Sequence, residues 1–213
     1  MNKSEEFWDN SASNYDKTEE RFEYIHIRSR QNTRKHLKSS DTVLDVGCGT
    51  GTTSCEIADQ VKEIHAIDIS SRMIEMAKEK ADTGNVTNVS FVQTDIFDER
   101  YEEESFDVIL VFNMLHTVPN PESVLRRVHE LLKPGGLVIS VTPCLREKMS
   151  LLISMQILLV QILCKIGVIP IPIRRVTSSE LDDLVEIGGL QIADSEKIYR
   201  RVSSYFLVAK KAC

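Results

Sequence analysis

Apolar, β-branched runs recur at 42–46, 63–68, 89–92, 106–111 and 137–141, with segments of helical period between most of them. Such alternation is the signature of βαβ units around a mostly parallel sheet. Helices are expected at about 52–61, and from Ser70 or Ser71 to the exit signal Asp82-Thr83-Gly84-Asn85. A third is expected at about 121–132, with Pro121 in the permissive first turn and Val124, Leu125, Val128, Leu131 and Leu132 on one face; Lys133-Pro134-Gly135-Gly136 stops it. Ser178 or Ser179 caps a further helix to about 187, Gly188-Gly189 ends it, and strands near 192–199 and 205–209 close the chain. The pattern predicts a doubly wound three-layer α/β sandwich.

A length of 213 residues fits one domain with an insertion. The net charge of −6 offers no basic footprint for nucleic acid, so a small molecule is the expected partner. Five cysteines, Cys48, Cys55, Cys144, Cys164 and Cys213, contain no C-x-x-C pair and imply neither a disulfide framework nor a zinc site. The first residues lack the apolar core of a secretory signal, and with the cysteine pattern this points to the cytoplasm. No metal site is expected.

The run at 42–46 ends on Gly47-Cys48-Gly49-Thr50-Gly51, where a parallel strand delivers its ligand-binding end. Glycines allow tight turning and close backbone approach, and the next helix offers free N–H groups. Asp68 ends the second run, 17 residues beyond Gly51, where a carboxylate can accept from both hydroxyls of a ribose. These features indicate a nucleoside cofactor. A dinucleotide fingerprint reads G-x-G-x-x-G, whereas this loop reads G-x-G-x-G.

Val43-Leu44-Asp45-Val46-Gly47-Cys48-Gly49-Thr50-Gly51 resembles the first motif of the class I S-adenosylmethionine-dependent methyltransferases, in their small-molecule and quinone branch. Asp68, Asp95-Ile96, Phe106-Asp107-Val108-Ile109 through Asn113-Met114-Leu115-His116, and Leu131-Leu132-Lys133-Pro134-Gly135-Gly136 extend the resemblance in the same order. It implies a Rossmann-like sandwich whose seven-stranded, mostly parallel sheet has an antiparallel last strand. It also implies that Gly47, Cys48, Gly49 and Gly51 pass beside the methionine part of S-adenosylmethionine, with Asp45 near its amino group. Asp68 would hold the ribose and Ile69 would pack on the adenine. Asp95 would accept from the adenine amino group, Ile96 would supply backbone contact, and Asn113 would face the methionine moiety. Phe7-Trp8-Asp9 and Asn14-Tyr15-Asp16 resemble an N-terminal cover in which Tyr15 closes over the cofactor. S-adenosylhomocysteine would be the product.

Methyl transfer from a sulfonium needs alignment and exclusion of water, and a base only where the acceptor must lose a proton early. His116 is the histidine nearest the expected acceptor side; His26 and His36 lie in the N-terminal helical region. The competing functions are an NAD-dependent oxidoreductase and a non-catalytic protein of the same fold.

The segment 149–173 carries a single charge, Lys165. As a helix over 149–166 it gathers Ser150, Ser154, Gln161 and Lys165 within an arc of about 60° and is otherwise apolar except for Gln156. Pro170 and Pro172 argue against a membrane span. A lid packed on the domain is the first expectation; a homodimer face and peripheral membrane contact are the others, Arg174-Arg175 suiting anionic headgroups. The resulting division of 1–213 is a helical cover at 1–40, a cofactor-binding core at 41–142, an apolar insertion at 143–177 and a closing helix and strand pair at 178–213. Residues 1–142 hold 16 basic and 25 acidic residues, and 143–213 hold 10 and 7, so the two parts carry −9 and +3.

Overall fold

A computed structural model describes residues 3–212; Met1, Asn2 and Cys213 lie outside them. Helix α1 (Lys3–Glu19) leads through a short 3-10 turn into α2 (Glu23–Arg34). The core follows as β1 (Thr42–Val46), α3 (Thr52–Ile57), β2 (Glu63–Asp68), α4 (Ser71–Thr83), β3 (Val89–Gln93), β4 (Phe106–Phe112), α5 (Pro121–Leu131) and β5 (Leu132–Pro143). The chain ends with α6 (Leu151–Lys165), α7 (Ser178–Ile187), β6 (Leu190–Tyr199) and β7 (Ser203–Lys211).

The seven strands form one sheet in the order β3-β2-β1-β4-β5-β7-β6. β7 pairs antiparallel with both β5 and β6, while the pairs among β1 to β5 are parallel. The winding goes outward from β1 to β3 and then restarts at β4, so the carboxyl ends of β1 and β4 flank a topological switch point.

Period-2 alternation sends side chains to two cores. Val43, Val108, Leu110, Ile139 and Phe206 face Ile57, Ile74 and Ala77, whereas Leu44, Ile109, Val138 and Leu207 face Val124, Leu125, Val128, Leu181 and Val185. Burial on both faces is why the central strands read as largely apolar runs, interrupted by Asp45 in β1 and Asp107 in β4. Helices on both sides complete the three layers.

Several boundaries move for identifiable reasons. α3 stops at Ile57 and tightens into a 3-10 turn at Ala58–Gln60 rather than running to 61. β5 starts at Leu132, ahead of 137, because Leu132 pairs with Phe106 before a register shift absorbs the Pro134-Gly135-Gly136 turn. The cap of α7 is Thr177, not Ser178 or Ser179; Thr177 and Glu180 form a reciprocal capping box. Ser70 and Asn120 cap α4 and α5 with their side chains.

The insertion departs most from a lid. α6 has no buried residue, and Leu151, Leu152 and Met155 are 79%, 68% and 63% exposed. Its half-buried side includes Ile157, and Gln161 there donates to the Ile173 carbonyl at 3.5 Å. At its base, the Glu147 carboxylate accepts from the Ser178 N–H and the Ser203 hydroxyl, at 2.8 and 3.1 Å. Among the described residues, no helix is long and apolar enough to cross a membrane.

Candidate functional site

A cavity of about 410 Å³ opens at the switch point. The glycine loop after β1 forms its floor and the ends of β2, β3 and β4 its sides, while Trp8 and Tyr15 of α1 reach over it. Its size suits a drug-sized or cofactor-sized ligand.

The floor is fixed by backbone bonds. The N–H groups of Gly47 and Cys48 both donate to the Ile67 carbonyl, at 2.8 and 3.0 Å, which ties the loop to β2. Gly49 has φ +55°, and a Cβ there would stand 3.5 Å from the Tyr15 ring, so the missing side chain leaves the loop backbone open beneath that ring. Gly51 has φ +73°, and a Cβ would lie 2.8 Å from both Ala77 and Phe91. Its role is close packing against α4 and β3.

Asp68 closes the loop from the other side. One carboxylate oxygen accepts from the Gly49 N–H at 3.0 Å and the other from the Ser70 N–H at 2.9 Å. Burial raises its pKa, and these amides only partly offset the shift. Asp45, 2% exposed, accepts from the Ser54 hydroxyl, yet burial pushes its pKa up to about 6, with the nearby Asp68 charge adding to the shift. Neither carboxylate is paired with a cationic side chain among the described residues. Two desolvated, unpaired carboxyls side by side favour a ligand that brings positive charge.

Helix α1 is latched over this floor by two further carboxylates. Asp9 accepts from the Ser70 hydroxyl (2.6 Å) and the Arg72 N–H (3.2 Å) at the start of α4. Asp16 accepts from the Thr50 hydroxyl and, at 3.0 Å, from the Lys80 ammonium, which itself donates to Thr52 at 2.6 Å. The latches hold Tyr15 against Gly49 and Trp8, whose ring meets it edge-on at 6.4 Å. Burial, with Glu19, Asp68 and Asp16 nearby, raises the Tyr15 pKa.

On the far side, Asn113 follows β4 with φ +53°, a region that asparagine visits only at a cost, and its N–H donates to the Val141 carbonyl at 2.7 Å. Asp95 is exposed and makes a local turn by accepting from the Phe97 N–H at 2.8 Å; Ile96 is buried beside it. Beyond Gly47, Tyr15 and Asn113 a smaller cavity of about 270 Å³ is lined by Asp45, Cys48, His26, Arg30 and Glu56 among others.

Of the residues expected from the sequence, Tyr15, Gly47, Gly49, Asp68, Ile69, Asp95, Ile96 and Asn113 line the larger cavity. Asp45 and Cys48 reach the smaller one, and burial raises the Cys48 thiol well above its ordinary value. Gly51 lines neither. His116 also lines neither: its Nδ1 is buried without a hydrogen-bond partner, and burial pulls its pKa down to about 4. His26 lies 2.7 Å from Glu19, and His36 stacks near Phe206 beside Asp194. Sequence reasoning missed Thr94, Met114, Thr117 and Ser123 on the larger cavity and Arg30 on the smaller. Arg30 lies in a polar helix with no motif around it, and only the packing of α2 reveals it. Among the described residues, no cluster of His, Cys, Asp or Glu is arranged to hold a metal.

A methyltransferase domain model matches residues 37–189. The ubiquinone biosynthesis O-methyltransferase of Pasteurella multocida is 39% identical over 109 residues, covering 47% of this chain and 45% of its own. The demethylmenaquinone methyltransferase of Oceanobacillus iheyensis is 29% identical over 140 residues, covering 63% and 59%. The chain thus spans about half the length of these relatives. Among solved structures, a DhpI–SAH complex superposes with a TM-score of 0.74 at 18% identity over 99% of this chain and 96% of that one. The [4+2]-cyclase SpnF does so at 0.72 and 18% over 87% and 81%, so the fold alone does not fix the reaction. The matched segment takes in the glycine loop, Asp68, Asp95 and Asn113, and the chain belongs to the methyltransferase domain family.

Proposed function

We propose that the protein transfers a methyl group from S-adenosylmethionine to a small, apolar or amphipathic acceptor. The observation that carries this reading is the meeting, in one cavity, of the G-x-G-x-G backbone with Asp68 at the end of the next strand. S-adenosylmethionine supplies a methyl group on a sulfonium: an acceptor lone pair forms the new bond to carbon as the carbon–sulfur bond breaks, leaving S-adenosylhomocysteine.

The chain's own residues bind, orient and exclude water. Asp68 accepts from the ribose hydroxyls with lone pairs not used by Gly49 and Ser70. Ile69 and Ile96 flank the adenine and Asp95 accepts from its amino group. Asp45, Asn113 and the glycine-loop backbone, with Cys48 among it, hold the methionine part. Arg30, the one cationic side chain with a permanent charge among the described residues of the smaller cavity, is paired with Glu56 at 2.6 Å and would have to share that pairing to meet the methionine carboxylate. The unpaired carboxyls match a sulfonium and an ammonium without a metal. Tyr15 and Trp8 cover the reacting end. His116, outside both linings and weakly basic, takes no proton in this scheme; an acidic acceptor group loses its proton to water.

Calorimetry of the full chain with S-adenosylhomocysteine and with NAD tests the cofactor, and transfer of labelled methyl to quinone and lipid extracts tests the reaction. Tighter binding of NAD would reassign the protein to the oxidoreductases. Tight binding of S-adenosylhomocysteine with no labelled product would leave a non-catalytic binding protein.

A further inference from the structure

We infer that α6 is a docking surface for an anionic lipid layer, with the helix lying in the plane of the layer. Leu151, Leu152, Met155, Leu158, Leu159 and Ile162 are each 50–79% exposed. At about 100° per residue they occupy one stripe about 120° wide. The half-buried side carries Ile153, Ile157 and Val160 together with Ser154 and Gln161, the last bonded to the Ile173 carbonyl, so α6 is apolar both towards the domain and towards solvent. An ordinary surface helix hides its one apolar stripe and shows a polar face, whereas α6 leaves a second apolar stripe uncovered.

The charges around the stripe select the occupant. From Lys148 to Ser179 there is no acidic residue, whereas Lys148, Lys165, Arg174 and Arg175 all lie there. At the amino end of α6 the Ser150 N–H donates to the Arg201 carbonyl at 3.0 Å, which brings Arg200 and Arg201 alongside. An apolar stripe with cations at both ends fits acyl chains beneath anionic headgroups. A two-fold contact with a second copy would set these same cations against one another with no acid in the segment between them. The 15 residues of α6 are fewer than the roughly 20 that a spanning helix needs, so it lies along the surface.

The same segment is stitched to the cavity wall. The Arg174 N–H donates to the His116 carbonyl at 2.8 Å, and its guanidinium donates to the carbonyls of Val118 and Pro119, which line the larger cavity. Beneath the end of α6, an open groove of about 770 Å³ runs along Ile169, Ile171 and Ile173, with Lys165 and Gln161 on its wall, to Lys3, whose neighbour Ser4 lines the cavity at the switch point. A lipophilic acceptor leaving the lipid layer meets this groove first. That last step rests on the methyl-transfer reading; the docking itself does not.

The test is co-sedimentation of the full chain with phosphatidylcholine vesicles that contain or lack phosphatidylglycerol. The expected result is binding to the anionic vesicles and at least tenfold weaker binding to the neutral ones. Lys165→Gln with Arg201→Gln should weaken it about 30-fold, at roughly 1 kcal/mol per cation. Leu158→Gln with Leu159→Gln should abolish it, and both double variants should keep the parent's affinity for S-adenosylhomocysteine. Failure to bind anionic vesicles overturns the proposal. So does a dimer, seen by light scattering, that the leucine variants break and anionic vesicles do not. A parent that binds vesicles but not S-adenosylhomocysteine supports docking and counts against the cofactor reading alone.

Discussion

Replacing Asp68 with alanine should weaken binding of S-adenosylhomocysteine by about 5- to 150-fold. Its two oxygens already accept from the Gly49 and Ser70 amides at 3.0 and 2.9 Å, and a carboxylate has further lone pairs for a ribose. Hydrogen bonds to a charged group contribute about 1.5–3 kcal/mol each, but the two share one side chain and do not add, so roughly 1–3 kcal/mol is the expected loss. Part of that loss comes from slackening of the loop rather than from the ligand, and a cycle separates the two. Calorimetry with S-adenosylhomocysteine and with its 2′-deoxy analogue, on the parent and on Asp68→Ala, isolates the ribose contact. The parent should prefer the ribose form and the variant should not. An Asp68→Asn variant should be nearly as weak, because its NH₂ would face a backbone N–H on one side. Unchanged affinity, or an equal loss for both ligands, would refute the placement of the ribose at Asp68. Because burial raises the Asp68 pKa, affinity should also start to fall above the pH at which an ordinary aspartate protonates.

Asp45→Asn should stabilise the ligand-free protein at pH 8 while weakening cofactor binding. With a folded pKa raised to about 6 from 3.8, ionised Asp45 costs folding stability as pH rises through about 6, and the cost vanishes below the unfolded value. A gain of the order of 1–3 kcal/mol at pH 8, and none at pH 3.5, is expected in denaturant melts; equal gains at both would refute it. Gly51→Ala should destabilise by about 2–4 kcal/mol, because its Cβ meets Ala77 and Phe91 at 2.8 Å in a left-handed backbone, whereas Gly49→Ala should cost only about 1 kcal/mol of stability but lose cofactor affinity. His116→Gln should leave methyl transfer within about threefold of the parent, since a proton transfer by a positioned base contributes typically 10²–10⁴-fold; a hundredfold drop would restore it as the base.

The interior was the legible part. The bounds of β1 and β2 could be read to the residue, because each carries a mostly apolar run that the glycine loop or Asp68 terminates. The loop, Asp68 and Asn113 were readable together because their spacing follows from strand ends that the sheet brings into one place. Thr177-x-x-Glu180 is the local signal for the start of α7, one residue ahead of the serines that also suit a cap. What could not be read depends on how surface helices turn. Periodicity finds the polar stripe of α6, but only packing decides that the apolar stripe faces outward. The bonds from Asp9 and Asp16 to Ser70 and Lys80 join residues more than 60 positions apart, and no local pattern encodes them.

Those two aspartates should govern how readily the entrance opens. Ala12 is the one fully buried residue of α1; beside the half-buried Trp8 and Tyr15, its carboxylates bond to Ser70 at the start of α4, to Thr50 and Lys80, and to Gln93 at the end of β3. A helix fastened by polar contacts opens at far lower free energy than the sheet beneath it and closes again without refolding the core. The entry of a cofactor and the escape of its spent form therefore share one hinged doorway. Its opening should then limit exchange of the site's contents, as stopped-flow release of S-adenosylhomocysteine would measure, and added salt, by screening the Asp16–Lys80 pair, should speed that release.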